Sequence, residues 1–146
     1  MPGLLRHARA TYGLAMRAAL DAAGFGDLPR DGLYVIGGLA VAEDAVALAE
    51  IIRQLRVSKQ AAGQLVDTLV VRGYLNRAAD EQDRRRLTVT LTERGMAAAK
   101  VQKVARVEID ARLLARVGPA ALRQTRSTLM ALIEMSPWTG PGAGDG

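Results

Sequence analysis

Apolar residues recur at intervals of three and four over most of the chain, and this spacing predicts amphipathic α-helices. One stretch departs from it. Residues 74–91 hold two short β-prone runs separated by a charged segment, which predicts a β-hairpin. The pattern therefore predicts a mainly α-helical fold with six helices and one small hairpin. The predicted helices cover approximately residues 4–23, 29–41, 45–55, 58–72, 92–117 and 119–135.

The third and fourth predicted helices are separated by only a short turn, which is typical of a helix-turn-helix. Glu43-Asp44 is expected to cap the third helix and Ser58 the fourth, because short polar side chains accept hydrogen bonds from free N–H groups at a helix start. The apolar positions of the fourth helix predict one buried face, formed by Ala62, Leu65, Val66 and Leu69. Its opposite face carries Lys59, Gln60, Gly63, Gln64 and Asp67.

This outer face of the fourth helix has side chains suited to reading DNA. Glutamine can pair with adenine through two hydrogen bonds and lysine can reach guanine or phosphate, so the face fits a major groove. The start of a helix also directs unpaired N–H groups towards phosphate. A polar helix that merely faces solvent is the competing interpretation. The predicted DNA-contacting residues here are Ser58, Lys59, Gln60, Gly63 and Gln64.

The predicted hairpin has a strongly basic tip that contains Arg84, Arg85 and Arg86. Three adjacent arginines repel one another unless anions surround them, which favours contact with DNA. Strand alternation is expected to send Arg84 and Arg86 to one side, with one side of the hairpin entering a minor groove. The remaining arginine is expected to pair with Asp83 or Asp67 and so orient the hairpin. A solvated charged hairpin is the alternative.

Composition limits the classes of function that the chain can have. Its 146 residues suit one domain, and a net charge of +5 favours an anionic partner. With 3% aromatic residues, a single-strand nucleic-acid binder is disfavoured, because such proteins stack bases on rings. The chain has no cysteine and a single histidine, His7, so we expect no metal site, no cofactor and no enzymatic activity. Without an apolar run of membrane-spanning length or a signal-peptide pattern, a cytoplasmic protein without membrane contact is expected.

The long fifth predicted helix carries two apolar stripes, so one is expected to pack on its own subunit and the other on a partner subunit. The second predicted helix contains Gly37-Gly38, which indicates either close helix packing or space for a ligand. The residues after Met135 are rich in proline and glycine and predict a flexible tail, in which Trp138 is the chain's only tryptophan. The two stripes are Val101, Val104, Val107, Ala111 and Leu114, and Ala105, Ile109 and Leu113.

Two motifs carry a family resemblance. The run Asp83-Arg84-Arg85 is followed by Leu91-Thr92-Glu93-Arg94-Gly95, and this resembles the Asp-x-Arg-Arg wing and Leu-Thr-x-x-Gly helix start of the multiple-antibiotic-resistance-regulator (MarR) family of winged-helix transcription factors. The stretches 48–60 and 65–74 resemble the family as well. The chain departs from many relatives in having Gln64, beside Gly63, where they carry arginine on the recognition helix, which leaves the operator sequence open.

The resemblance implies a single domain over 1–146 that forms an obligate homodimer through helices 3–24 and 92–135. It implies a winged helix-turn-helix over 30–91 that binds a pseudo-palindromic double-stranded operator, with a flexible tail at 136–146. It also implies a small aromatic or phenolic ligand between these regions. By position, the walls of that pocket would be Tyr12, Met16, Tyr34, Gly37 and Gly38.

Two functions remain open from the sequence. The leading hypothesis is a sequence-specific, double-stranded-DNA-binding transcriptional regulator, a repressor that a small-molecule ligand releases from DNA. The alternative is a winged-helix protein-interaction module without operator specificity. Gly63 and Gln64 keep the alternative open, because they give the recognition helix a weaker reading face than arginine would.

Overall fold

A computed structural model of the protein describes residues 1–42, 45–55 and 57–135. The expected helix cap at Glu43-Asp44 lies outside the described residues, as do Arg56, the tail at 136–146 and its Trp138.

The fold is mainly helical with a small antiparallel sheet, as the sequence predicts. The sheet has three strands in the order β1-β3-β2, with Val46 opposite Val89 and Leu75 opposite Leu91. The first strand was not predicted, because two residues are too few to show an alternating pattern. The elements are α1 (Pro2–Ala22), α2 (Gly32–Leu39), β1 (Val46–Ala47), α3 (Leu48–Leu55), α4 (Lys59–Val71), β2 (Leu75–Ala79), β3 (Leu87–Leu91) and α5 (Glu93–Glu134).

The described part of the chain thus has five helices, and the prediction of six is wrong in its count. The last two predicted helices continue as one element, α5, with a break at Gly118, where φ is 77° and ψ is 164°. Glycine tolerates this left-handed φ, and Pro119 suits the first turn of the segment that follows, since it needs no hydrogen bond for its missing N–H. The break predicted at Gly118-Pro119 is therefore present, but no loop separates the two segments. No helix in the described ranges has both the length and the apolarity that a membrane span requires.

The chain divides into two compact units, Met1–Arg106 and Val107–Gly146. The first unit contains the hydrophobic core, in which side chains of α1, α2, α4, β2 and β3 are fully buried. Burying these side chains supplies the main favourable free energy of folding. The central members of this core are Leu20, Ile36, Val66, Leu69, Tyr74 and Val89.

The second unit is described over residues 107–135, and its helical surface is unusually apolar. Val107, Leu114 and Val117 precede the break and are exposed, and Met130, Leu132 and Ile133 follow it and are exposed too. A helix that exposes several large apolar side chains is typical of one that another chain covers.

Candidate nucleic-acid interface

Helix α4 begins where the sequence predicts it. Ser58 is the N-cap, with φ −59° and ψ 150°, and its side-chain oxygen accepts a hydrogen bond from the backbone N–H of Ala61 at 3.1 Å. Lys59 and Gln60 follow in the first turn and are exposed. The cap leaves other N–H groups of the first turn free to donate to an external acceptor such as phosphate.

The two faces of α4 differ as the apolar spacing predicts. Ala62, Val66 and Leu69 are fully buried and fix the helix against the core. The opposite face exposes Lys59, Gln60, Gln64 and Asp67. Between them lies Gly63, where an added Cβ would meet no atom within 4 Å. Packing therefore does not require glycine there. Because Gly63 has no side chain, nothing projects from the helix at that position beside Gln64.

Asp67 pairs with Arg77 on β2 rather than with an arginine of the hairpin tip. This ion pair connects the outer face of α4 to the first strand of the hairpin. Sequence reasoning missed Arg77. The signal in the sequence is its position, because Arg77 is the first cation of the strand that follows α4. A helix that packs beside the next strand brings side chains of the two elements close together.

Arg84, Arg85 and Arg86 lie in a turn between β2 and β3, and all three are exposed. The expected strand alternation is therefore wrong for them, since the paired register ends at Ala79 and Leu87. The turn is closed by backbone hydrogen bonds from Asp80 N to Arg86 O and from Arg86 N to Asp83 O, both 2.9 Å. Consequently all three guanidinium groups extend from a closed turn into solvent.

Two carboxylates hold this turn. Asp80 accepts hydrogen bonds from the backbone N–H groups of Gln82 (2.8 Å) and Asp83 (3.1 Å). Asp83 accepts one from the N–H of Arg85 at 3.1 Å. The role of Asp80 was not anticipated, because an acid at a hairpin tip is ordinarily solvated. The two N–H bonds to its charged form lower the pKa of Asp80 below its ordinary value.

This arrangement predicts how the tip responds to acid. The pKa of Asp80 is lowered in the folded protein. The charged carboxylate therefore holds the turn fully at any pH above the ordinary pKa of aspartate, about 3.9. This support is lost as the pH falls through the lower, folded value. We expect the amide NMR signals of Gln82 and Asp83 to titrate together with a midpoint below 3.9. A midpoint at or above that value would contradict the assignment.

A polar junction joins the loop after α1, the end of α4 and the start of α5. The carboxylate of Asp27 accepts hydrogen bonds from the Tyr74 hydroxyl (2.5 Å) and from Arg94 (2.8 Å). Arg94 also donates to the backbone carbonyl of Arg72 at 3.1 Å and lies 4.6 Å from the centre of the Tyr74 ring. Arg94 occupies a variable position of the Leu-Thr-x-x-Gly motif, and its contacts join the start of α5 to the end of α4.

The pKa values of the junction shift in opposite directions. The hydrogen bond from Tyr74 is the main cause that lowers the pKa of Asp27, against a smaller opposing effect of desolvation. Burial raises the pKa of Tyr74, and its bond to the Asp27 carboxylate raises it further. A group with a raised pKa contributes stability below its ordinary value, about 10 for tyrosine, and loses it as the pH rises through the folded value.

We therefore expect Tyr74→Phe to lower the free energy of unfolding by about 1–2 kcal/mol, because it removes a hydrogen bond to a charged group. The variant should also lose the tyrosine-dependent decline in stability above pH 10. Urea denaturation at pH 7 and at pH 10.5 measures both effects. Tyr34→Phe is the matched control, because the exposed Tyr34 ring loses the same hydroxyl. Equal effects of the two substitutions would contradict the role of the junction.

The five residues expected to line a ligand pocket lie in different surroundings. Met16 is buried in the core, Tyr12 packs against it, and an added Cβ at Gly37 would lie 3.4 Å from the side-chain oxygen of Gln102. This is an ordinary van der Waals distance, so Gly37 lies in contact with Gln102 and does not border open space. Tyr34 and Gly38 line a groove of about 270 Å³ between α2 and α3. One face of the Tyr34 ring is covered by the guanidinium of Arg9, 4.4 Å from the ring centre.

In the described part of the chain, no three histidine or acidic side chains are grouped to hold a metal ion. The arrangement of α3, α4 and the β2–β3 hairpin, which we call the wing, defines a winged helix-turn-helix protein.

Solved structures share this fold at low sequence identity. Streptococcus pneumoniae FabT in complex with DNA has a TM-score of 0.78 at 18% identity, and 91% of this chain matches 92% of that one. S. aureus MepR in its DNA-binding conformation has a TM-score of 0.75 at 18% identity, over 91% and 96% of the two chains. The transcriptional regulator PA4135 has a TM-score of 0.72 at 19% identity, over 94% and 98%.

One family model matches part of the sequence. The family model described as MarR family matches residues 27–86, which include α2, the helix-turn-helix and the tip of the wing. Over this segment the chain is similar to the MarR family, which agrees with the resemblance that the wing motif indicates. No curated protein sequence matches the chain significantly.

Proposed function

We propose that the protein is a homodimeric transcriptional repressor that binds double-stranded DNA sequence-specifically. The observation that carries the proposal is the combination, in one compact unit, of a capped helix exposing Lys59, Gln60 and Gln64 with a closed turn exposing three arginines. The match of residues 27–86 to the MarR family supports it. So do the similar folds of MepR and FabT, both of which have been solved with DNA.

Each element has a separate role in the proposal. Lys59, Gln60 and Gln64 read base edges in the major groove, while the wing arginines neutralise phosphate and enter the neighbouring minor groove. Two copies related by a twofold axis would place their recognition helices about 10 bp apart, one turn of DNA. The exposed apolar side chains of the second unit support dimerisation, since a partner copy would cover them.

The proposal is tested with DNA from upstream of the protein's own gene. Fluorescence anisotropy across a salt series, with random duplex as competitor, should show specific binding roughly a thousandfold or more tighter than non-specific binding. Analytical ultracentrifugation of the same sample should show a dimer. Equal, weak binding to both DNAs would contradict operator recognition and favour the protein-interaction module.

Within the operator, Gln64→Ala should relax the preference at one base position in each half-site. Losing a two-bond contact with adenine costs about 1–3 kcal/mol of discrimination, so affinity falls for the operator but not for random DNA. Asp21→Ala is a control for an exposed polar residue outside the interface. A uniform loss of affinity for every sequence would show that Gln64 contacts only the backbone.

We also propose that a small aromatic or phenolic ligand releases the protein from DNA by binding in the α2–α3 groove. Tyr34 and Gly38 line that groove, and at Gly38 an added Cβ would meet no atom within 4 Å. Gly38→Leu should fill the space and abolish release by such ligands without preventing operator binding. Continued release of this variant would place the ligand elsewhere.

A further inference from the structure

The tip of the wing carries as many acidic side chains as arginines. Residues 80–86 contain three of each, so the formal charge of this segment is zero. A carboxylate that approaches DNA is repelled by phosphate, and net charge therefore does not attract this segment to DNA. Attraction requires that the positive and negative groups be held apart. The acidic residues are Asp80, Glu81 and Asp83.

The turn separates these charges. The carboxylate of Asp80 accepts hydrogen bonds from the N–H groups of Gln82 and Asp83, at 2.8 and 3.1 Å, so it lies against the backbone. The carboxylate of Asp83 likewise accepts from the N–H of Arg85 at 3.1 Å. The side chains of all three arginines are exposed. Two of the three negative groups thus bind backbone N–H groups, while the guanidinium groups face solvent, where a phosphate can reach them.

Asp80 stands at the start of a series of hydrogen bonds that leads to the arginines. Its carboxylate binds the N–H of Asp83. Asp83 in turn accepts from the N–H of Arg85 through its side chain and from the N–H of Arg86 through its carbonyl, at 3.1 and 2.9 Å. The N–H of Asp80 also donates to the carbonyl of Arg86 at 2.9 Å and closes the turn. The backbone positions of Arg85 and Arg86 therefore depend on Asp80.

We propose that Asp80 is a positioning residue of the wing: it strengthens DNA binding by fixing the backbone that carries the arginines, although its own charge repels DNA. The inference rests on the proposed function, which assigns the wing arginines to phosphate. Fixing the backbone of one residue costs about as much free energy as a tenfold change in affinity. A turn that is ordered before binding avoids this cost in the complex.

The sign of the change in DNA affinity tests the proposal. Asp80→Ala removes a negative charge together with two hydrogen bonds to the turn. Positioning predicts that affinity for a random duplex at low salt falls roughly tenfold or more, because the arginines must then be ordered on binding. It also predicts a shallower salt slope, since fewer phosphates are neutralised. Charge alone predicts tighter binding. Fluorescence anisotropy measures affinity and slope, and equal or tighter binding of Asp80→Ala would overturn the proposal.

Two further variants separate position from charge. Asp80→Asn keeps an oxygen that can accept the N–H bonds but loses their charge-assisted part, so its affinity should lie between those of the unaltered protein and Asp80→Ala. An effect of charge alone would make the two Asp80 variants equal. Glu81→Gln is the matched control, because it removes a negative charge from the next, exposed residue. It should raise affinity by up to about fivefold. A change in the same direction for Glu81→Gln and Asp80→Ala would show that Asp80 acts through charge.

A measurement without DNA examines the order of the turn directly. The heteronuclear NOE values of the Gln82 and Arg85 amides should be close to those of β2 and β3 in the unaltered protein and should fall in Asp80→Ala. Unchanged values would overturn the proposal. Because a random duplex suffices for the affinity measurement, a missing preference for the operator counts only against sequence-specific repression. If the unaltered protein bound no duplex at all, both proposals would be overturned.

Discussion

Replacing Arg84, Arg85 and Arg86 with alanine should lower DNA affinity on the order of a hundredfold or more at low salt. The loss should be similar for operator and random DNA, because phosphate contacts carry no sequence information. Each arginine that neutralises a phosphate contributes about 0.9 to the slope of log affinity against log salt. Two wings in a dimer would therefore reduce that slope by up to roughly 5. Fluorescence anisotropy at several salt concentrations measures both quantities.

This substitution should remove the three guanidinium groups without changing the conformation of the turn. The turn is held by backbone hydrogen bonds and by the carboxylates of Asp80 and Asp83, so alanine at the three exposed positions should leave its conformation intact. The loss of affinity then reports on contacts that the guanidinium groups make with DNA.

A second triple variant separates contact from net charge. Arg116, Arg123 and Arg126 are exposed on α5 in the second unit, so replacing them with alanine removes the same charge and leaves the wing sequence unchanged. We expect this control to change affinity only slightly. If the two triple variants lose the same affinity, the wing arginines act through net charge alone, and the wing is a solvated hairpin.

Local patterns predicted most of the fold because their causes are local. The N-cap at Ser58 depends on a bond to Ala61, three residues away, and the buried face of α4 follows from helical spacing. The Gly118-Pro119 break likewise rests on the properties of two adjacent residues. Each of these features could be predicted from a few neighbouring positions.

Features that depend on distant partners could not be predicted in the same way. Asp27 and Arg94 are 67 positions apart, and no periodicity indicates that they meet. The expected pairing of Asp67 with a tip arginine failed because Arg77, inside strand β2, lies within its reach. At the wing tip, the prediction of strand alternation failed because Asp80 and Asp83 bind nearby N–H groups and close a turn. These side chains compete with the other strand for the backbone N–H groups, and an alternating sequence pattern does not include that competition.

The expected ligand pocket shows the limit of inference by position. Family resemblance names both Met16 and Tyr34 among the walls of a ligand pocket, and the packing puts Met16 in the core while Tyr34 is 40% exposed. Whether a glycine borders open space or contacts another group depends on the side chain opposite it. Gly37 faces Gln102, whereas nothing lies within 4 Å of an added Cβ at Gly38.

Glycine at position 95 leads to the largest expected effect on stability. A Cβ built there would lie 2.2 Å from the backbone oxygen of Tyr74 and 3.0 Å from a side-chain carbon of Leu91. The Tyr74 oxygen has little freedom to move, because it accepts a hydrogen bond from the N–H of Thr92 at 3.1 Å. The first turn of α5 can therefore approach the backbone of Tyr74, just before β2, this closely only without a side chain at Gly95.

We expect Gly95→Ala to lower the free energy of unfolding by about 2 kcal/mol or more, since overpacking against backbone exceeds the roughly 1 kcal/mol that alanine gains in helix propensity. The melting temperature should fall by several degrees, at about 2–4 °C per kcal/mol for a protein near this size. Differential scanning calorimetry of the purified protein measures the change.

Gly63→Ala is the matched control, because it makes the same change inside α4, where an added Cβ meets no atom within 4 Å. It should raise the free energy of unfolding by up to about 1 kcal/mol through helix propensity alone. The two substitutions thus have opposite expected signs, and the difference between them isolates the contact with Tyr74 from the intrinsic preference for alanine. If Gly95→Ala melted as high as Gly63→Ala, the close approach of α5 to the Tyr74 backbone would not be the reason for glycine in the Leu-Thr-x-x-Gly motif.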